Sequence, residues 1–284
     1  MAHEFNMKLT PQEEWGWLLA VDLFLGGMGG GLFLLFLIFN LSPSIAVLSL
    51  GLVALGAVVL MVELGRPLRA WRALCKPFSS WISRGVIFVT LFIVFGALYS
   101  APAFDSLSWL APGSDTTRRT IGVVAGISAL FVTLYPGFVL AASPSIPFWN
   151  SPLLPVLFSF HSLMVASGLI FLIAPLGLES ADLRSISFLG GILIVVNFVL
   201  GAMYLATSKG SGLASKEAVR RLNEGSLGWT FKVGVILVGM IVPLVVVLWT
   251  PSAMALAGLF ILIGGLLFRY CVLKAGVYVP FPLT

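Results

Sequence analysis

"IAVLSLGLVALGAVVLMVELGRPLRAW", Ile45 to Trp71, holds no charge until Glu63, after which Arg66, Arg69 and Arg72 follow in quick succession. About twenty apolar residues in a row suffice to cross a bilayer as a helix. Working outward, 59% of the 284 residues are hydrophobic and only 10% are charged. Mean hydropathy is +1.08. A soluble domain carries about 25% charged residues. The remaining apolar runs are equally long and lack the alternation of a membrane barrel. The chain therefore reads as an all-α integral membrane protein.

Apolar windows bounded by Pro, Gly, Ser and charged clusters predict eight transmembrane helices. They run over Trp15–Phe39, Ile45–Leu64, Gly85–Ser100, Thr120–Ala142, Leu153–Leu178, Ile186–Ala206, Trp229–Thr250 and Ser252–Val272. Residues 1–284 form one membrane domain, expected as a four-helix bundle over 15–142 and a second over 153–272. The N-terminal stretch lacks the basic start and cleavage site of a signal peptide, so its first apolar run reads as a retained span. "TSKGSGLASKEAVRRLNEGSLG", Thr207–Gly228, is the longest polar interruption and reads as a loop with a short surface helix. Pro251 in "WTPSAM" marks a tight hairpin between the last two spans.

An even number of spans puts both termini on one side, termed the N side. Arg66, Arg69, Arg72, Lys76 and Arg84 face it in one loop, and Lys209, Lys216, Arg220 and Arg221 in another. The opposite loops hold Arg118, Arg119 and Arg184. The positive-inside rule alone puts the N side in the cytoplasm. A net charge of +5, spread over loops, suits anionic headgroups or an acidic protein surface and argues against nucleic acid.

Ionisable groups inside a span are costly and are functional candidates by default. At ~1.5 Å per residue, Asp22 in helix 1 and Tyr135 in helix 4 each lie ~12 Å from the N side. Glu63 ends helix 2, with Arg66 three residues on, and Arg84 opens helix 3. Four consecutive helices thus place Asp22, Glu63, Arg66, Arg84 and Tyr135 in one layer. For Glu63 the alternative is a helix-end ion pair with Arg66, and for Asp22 a structural hydrogen bond. Pro136 and Gly137 loosen the backbone beside the Tyr135 phenol. "GGMGGG", Gly26–Gly31, fits close helix packing or approach of a flat ligand; Gly264 and Gly265 fit the former.

His3 and His161 are the only histidines. One bis-histidine haem needs two within spans, so no haem is expected, nor a metal. His161 reads as a packing residue or a proton relay. Cys75 and Cys271 have neither CxxC nor metal-ligand spacing.

"ELGRPLRAW" followed by "KPFSSWISRG" resembles the LGRP…P-S-W-S-G signature of the NrfD/polysulfide reductase membrane-subunit family. "LYPGFVLAASPSIPFWNSPLLPVLF" resembles that family's Tyr-x-Gly…Pro-x-Trp…Leu-Pro stretch, and "EEWGWLLAVDLFLGGMGGG" and "GGLLFRYCVLKAG" agree. The resemblance implies a multi-pass protein of the prokaryotic cytoplasmic membrane without haem or metal. It implies electron exchange between the quinone pool (menaquinone or ubiquinone, bound as substrate) and a docked iron–sulfur subunit of the four-cluster type. That subunit would relay to a molybdopterin catalytic subunit. The quinone site implied lies in the first bundle, with Tyr135 matching the family's tyrosine on helix 4. Relatives carry Asn or His on helix 1, where this chain has Asp22. Trp17, Arg66 and Arg84 complete the candidate contacts, His161 is a further one, and Asp22 and Glu63 are candidate proton acceptors. In several relatives the catalytic subunits are extracytoplasmic, which opposes the charge count, so orientation stays open. The competing reading is a secondary transporter or ion-translocating protein, against which no inverted repeat is found; a purely structural anchor is the third.

Overall fold

The computed structural model describes residues 9–63, 80–176, 183–225 and 227–279. Arg66 and the rest of the basic segment 64–79 lie outside the described residues, as do Glu179 and Asp182; Glu63 is described as backbone only. Among the described residues, eight helices are long and apolar enough to cross a membrane. Six of them are α1 Trp17–Phe39, α2 Pro43–Glu63, α3 Trp81–Ser100, α4 Asp115–Ala141, α5 Leu153–Ile173 and α6 Leu183–Lys209. A surface helix, α7 Leu213–Asn223, comes next. The seventh span starts as a π-helix, Thr230–Ile241, and runs on into α8, Val242–Trp249; α9 Met254–Ala275 is the eighth.

Four helices begin earlier than the hydropathy pattern predicts, α2, α3, α4 and α6, and in α3 and α4 a serine cap is the reason. Ser80 accepts a hydrogen bond from the Ile82 amide (3.2 Å), and Ser114 accepts one from the Thr117 amide (3.2 Å). Each serine satisfies an amide that the first helical turn leaves unpaired. Asp115 adds a negative charge at the positive end of the α4 dipole. These polar turns extend α3 and α4 beyond the apolar window. At the other end of α1, Asn40 takes a left-handed conformation (φ 50°) and its amide bonds back to Phe36 O, which stops the helix.

α1 packs on α2 and α4, α3 on α4, and α5 on α6 and α9, while α1–α5, α4–α5 and α1–α9 contacts join the first four spans to the last four. α1 touches α2, α4, α5 and α9. Its glycines make that possible, because the neighbours occupy the space where side chains would stand. A Cβ on Gly29 would lie 2.7 Å from Ser49 O of α2, one on Gly30 3.0 Å from Ala129 O of α4, and one on Gly31 2.6 Å from Ser162 O of α5. Small residues at such crossings let backbones meet where lipid supplies no hydrophobic drive. Gly264 does the same against Gly239 of the π-helical stretch. Thr133 and Ser159 add a hydroxyl–hydroxyl bond of 2.8 Å between α4 and α5.

The loop between α4 and α5 is tied down on three sides. Trp149 Nε1 donates to Val272 O of α9 (2.8 Å), Tyr204 of α6 donates to Phe148 O (2.5 Å), and Asn150 Nδ2 donates to Ala141 O (2.6 Å). Trp149 is also stacked on Trp15, with centroids 5.0 Å apart. Trp149→Phe is expected to cost about 2 kcal/mol, from one lost buried hydrogen bond and a partial cavity. Thermal unfolding in detergent measures it, and an unshifted midpoint would refute the anchoring role.

Outside the membrane, Thr10–Pro11 (β1) pairs antiparallel with Val277–Tyr278 (β2). The segments that precede α1 and follow α9 therefore meet on the N side, as an even number of spans requires. The pairing is extended by Gln12 N donating to Gly276 O (2.9 Å). α7 buries Ala214, Ala218, Val219 and Leu222 along one face and carries Glu217 and Arg220 outside it. The Arg220 guanidinium donates twice to Glu217, at 2.7 Å each, and holds its carboxyl below the usual carboxylate range.

Candidate functional site

Between α1 and α4 lies a cavity of about 430 Å³. Leu19, Asp22 and Leu23 line it from α1, and Tyr135, Pro136, Val139 and Leu140 from α4. On each helix these residues recur every three to four positions, so they form a single stripe facing the other helix. Leu60 of α2, three residues before Glu63, and Ile82 of α3 close two further sides. Glu14 and Trp15, just before α1, form the remaining wall. The lining is apolar apart from a few groups, and it lies toward the N side of the membrane.

Asp22 and Tyr135 are the polar side chains within the spans that this cavity brings together. Asp22 is 5% exposed. Its carboxylate lies against Gly56 of α2, where an added Cβ would come within 3.2 Å of Asp22 Oδ1. The Tyr135 ring lies on the backbone of α3 at Gly85, where an added Cβ would overlap the ring. Two glycines on two neighbouring helices thus hold the two polar groups in place.

The other sequence candidates are placed elsewhere. Arg84 points its guanidinium at the Trp81 ring, 4.5 Å from the centroid, and Trp81 stacks on Phe138 of α4 (4.4 Å, 9°). Arg84 braces α3 against α4 beside the cavity without lining it. Trp17 is 47% exposed and stacks on Tyr270 of α9 at 3.9 Å, away from the cavity wall. His161 is 1% exposed, between α5 and α9, with its ring on Phe268 at 4.3 Å. Neither ring nitrogen has a hydrogen-bond partner among the described residues. Arg66 lies outside the described residues, as does the Glu63 side chain.

Two features escaped the sequence reading. Glu14 precedes the apolar window and Trp15 only opens it, so depth arithmetic on polar groups within the spans singled out neither. Arg269 lies six residues before the end of α9 and is 1% exposed. Its Nη2 donates to Phe158 O (3.1 Å) and to Ser162 Oγ (2.9 Å), and its guanidinium lies 3.8 Å over the Phe158 ring. The depth arithmetic used on α1 and α4, carried to α9, identifies it as a charge within a span.

Among the described residues, no three His, Cys, Asp or Glu gather in a way that could hold a metal ion. The family model described as "Polysulphide reductase, NrfD" matches residues 6–280. Protein NrfD of Escherichia coli is 28% identical, the match covering 92% of this chain and 94% of that one. The C subunit of polysulfide reductase from Wolinella succinogenes is 27% identical over the same shares. Protein NrfD homolog of Haemophilus influenzae is 26% identical, over 94% of this chain and 95% of its own. The match runs from the N-terminal tail through all eight spans, and the chain belongs to the polysulphide reductase NrfD family of multi-pass membrane proteins.

Proposed function

We propose that this protein is the quinone-reactive membrane anchor of a multi-subunit oxidoreductase, and that the cavity between α1 and α4 takes the quinone head. One observation carries the reading: Asp22 and Tyr135, from different helices, converge on one apolar-walled cavity of about 430 Å³. Ligand pockets run from about 300 to 1,000 Å³, mostly apolar with a few placed polar groups. A quinone ring needs flat apolar walls, which Leu19, Leu23 and Leu140 supply. Its carbonyls need donors, and the Tyr135 hydroxyl is one. A quinol losing two electrons must also lose two protons, and the Asp22 carboxylate can take one.

The electrons pass to a docked iron–sulfur subunit of the four-cluster type and from it to a molybdopterin subunit. The Wolinella relative's name supports the assembly, because a lettered subunit of a reductase implies companion subunits. The exposed charges on the N side suit docking of an acidic partner there. In this reading, 15–142 is the quinone-site bundle and 153–272 the second, in a prokaryotic cytoplasmic membrane. Glu63 is a second proton acceptor, Arg66 and Arg84 are further candidate contacts of the quinone, and Trp17 and His161 stand away from the cavity wall.

The test is binding of a fluorescent quinol analogue to the complex purified in mild detergent. The analogue is expected to bind saturably and to be displaced by menaquinol or ubiquinol. Tyr135→Phe is expected to weaken it several-fold, in line with one lost hydrogen bond. Binding that ignores Tyr135→Phe and Asp22→Asn alike would sink the site.

A further inference from the structure

We propose that Glu14 is the proton outlet of the cavity, the group through which protons exchanged at Asp22 reach water on the N side. The inference rests on the quinone reading above. Asp22 and Glu14 are the two carboxylates among the described residues that line the cavity. They differ in one respect that decides their roles: Asp22 is 5% exposed, whereas Glu14 is open to solvent. Asp22 sits five residues into α1, ~7.5 Å below its first residue, and Glu14 stands just above. A proton taken by Asp22 cannot pass directly to bulk water. The cavity itself, wide enough for water between the two carboxylates, is the connecting route.

Glu14 is held at this mouth by several contacts. β1 pairs with β2, Gln12 Nε2 donates to Trp15 O (3.3 Å), and Trp15 stacks on the anchored Trp149. On the preceding residue, Lys274 of α9 donates to Glu13 O (3.0 Å). Tyr278 of β2 faces Glu14: burial first and the Glu14 charge second raise its phenol above the ordinary range. Among the described residues, Glu13, Lys274 and Tyr278 are thus ionisable neighbours of the mouth.

The balance is simple. Quinol oxidation releases two electrons to the iron–sulfur carrier, one after the other, and two protons. Protons held at Asp22 move through water to Glu14 and leave. In quinone reduction the same path runs inward.

The experiment uses the assembled complex in mild detergent with a synthetic quinol. Glu14→Gln is expected to lower quinol-linked turnover roughly ten- to a hundredfold, a far larger loss than any change in binding of the quinol analogue. Glu14→Asp restores most of the rate, and a small diffusible weak acid such as formic acid restores Glu14→Gln in a concentration-dependent way. Asp22→Asn, buried, gains nothing from it. Native turnover in Glu14→Gln overturns the outlet; so does slow turnover that neither the Asp variant nor the weak acid relieves. If the native complex binds no quinol analogue, the quinone reading falls and the outlet with it. If it binds the analogue and Asp22→Asn abolishes turnover while Glu14→Gln does not slow it, the outlet alone falls.

Discussion

Asp22→Asn is expected to lower quinol-linked turnover by about a hundredfold or more, the usual scale for removing a positioned general base. The amide matches the carboxylate in size, so the packing against Gly56 persists and the fold should not change. What is lost is the capacity to take a proton as electrons leave. Tyr135→Phe removes only a hydroxyl, leaves the ring on the Gly85 backbone, and is expected to give a similar but smaller loss. The control is the catalytic partner assayed with an artificial dye, which bypasses this subunit and should run at the native rate in both variants. Full quinol turnover in Asp22→Asn would remove Asp22 from the chemistry. Loss of dye-linked activity would mean failed assembly.

The second large effect concerns α1. Gly31→Leu puts carbon where Ser162 O and C of α5 stand, at 2.6 and 2.9 Å from the first added atom. Backbone cannot rotate away as a side chain can, so α1 and α5 must part. Overpacking of this kind costs about 2–3 kcal/mol, and the separation also strains the Arg269–Ser162 bond next to it. Gly26→Leu, in the same short motif, adds its first carbon to open space, with nothing within 4 Å. The expected pattern is a clearly lowered thermal midpoint and poor yield for Gly31→Leu and near-native behaviour for Gly26→Leu. Equal behaviour of the pair would refute the packing role of the motif.

The spans were legible because hydrocarbon demands long uncharged runs, and nothing in tertiary packing overrides that demand. The short helix within Thr207–Gly228 was legible too, through its apolar spacing. Asp22 and Tyr135 were found by counting residues from one membrane face, which works wherever helices run nearly normal to the bilayer. The count fixes depth but not azimuth. Trp17 and Arg84 share the correct face yet turn to Tyr270 and Trp81, because aromatic partners on α9 and within α3 itself hold them there. The cradles at Gly56 and Gly85 were illegible for a different reason. A glycine's significance here lies in what its neighbour occupies, and a linear reading has no neighbours. The tail was missed because β1 finds its partner more than 260 residues away.

That long pairing, together with the contact of α1 with α9, bears on biosynthesis. Of the described spans α1 is synthesised before the others and is among the most buried, and part of its surface is in contact with α9, synthesised after the others. Contacts of such sequence separation form late and slowly. Until α9 enters the bilayer, the part of α1 that it covers must be shielded by lipid or by the insertion machinery. A chain that stops before α9 leaves Gly27 without its Arg269 neighbour and β1 without a partner, and quality-control proteases should remove it in preference to the complete protein.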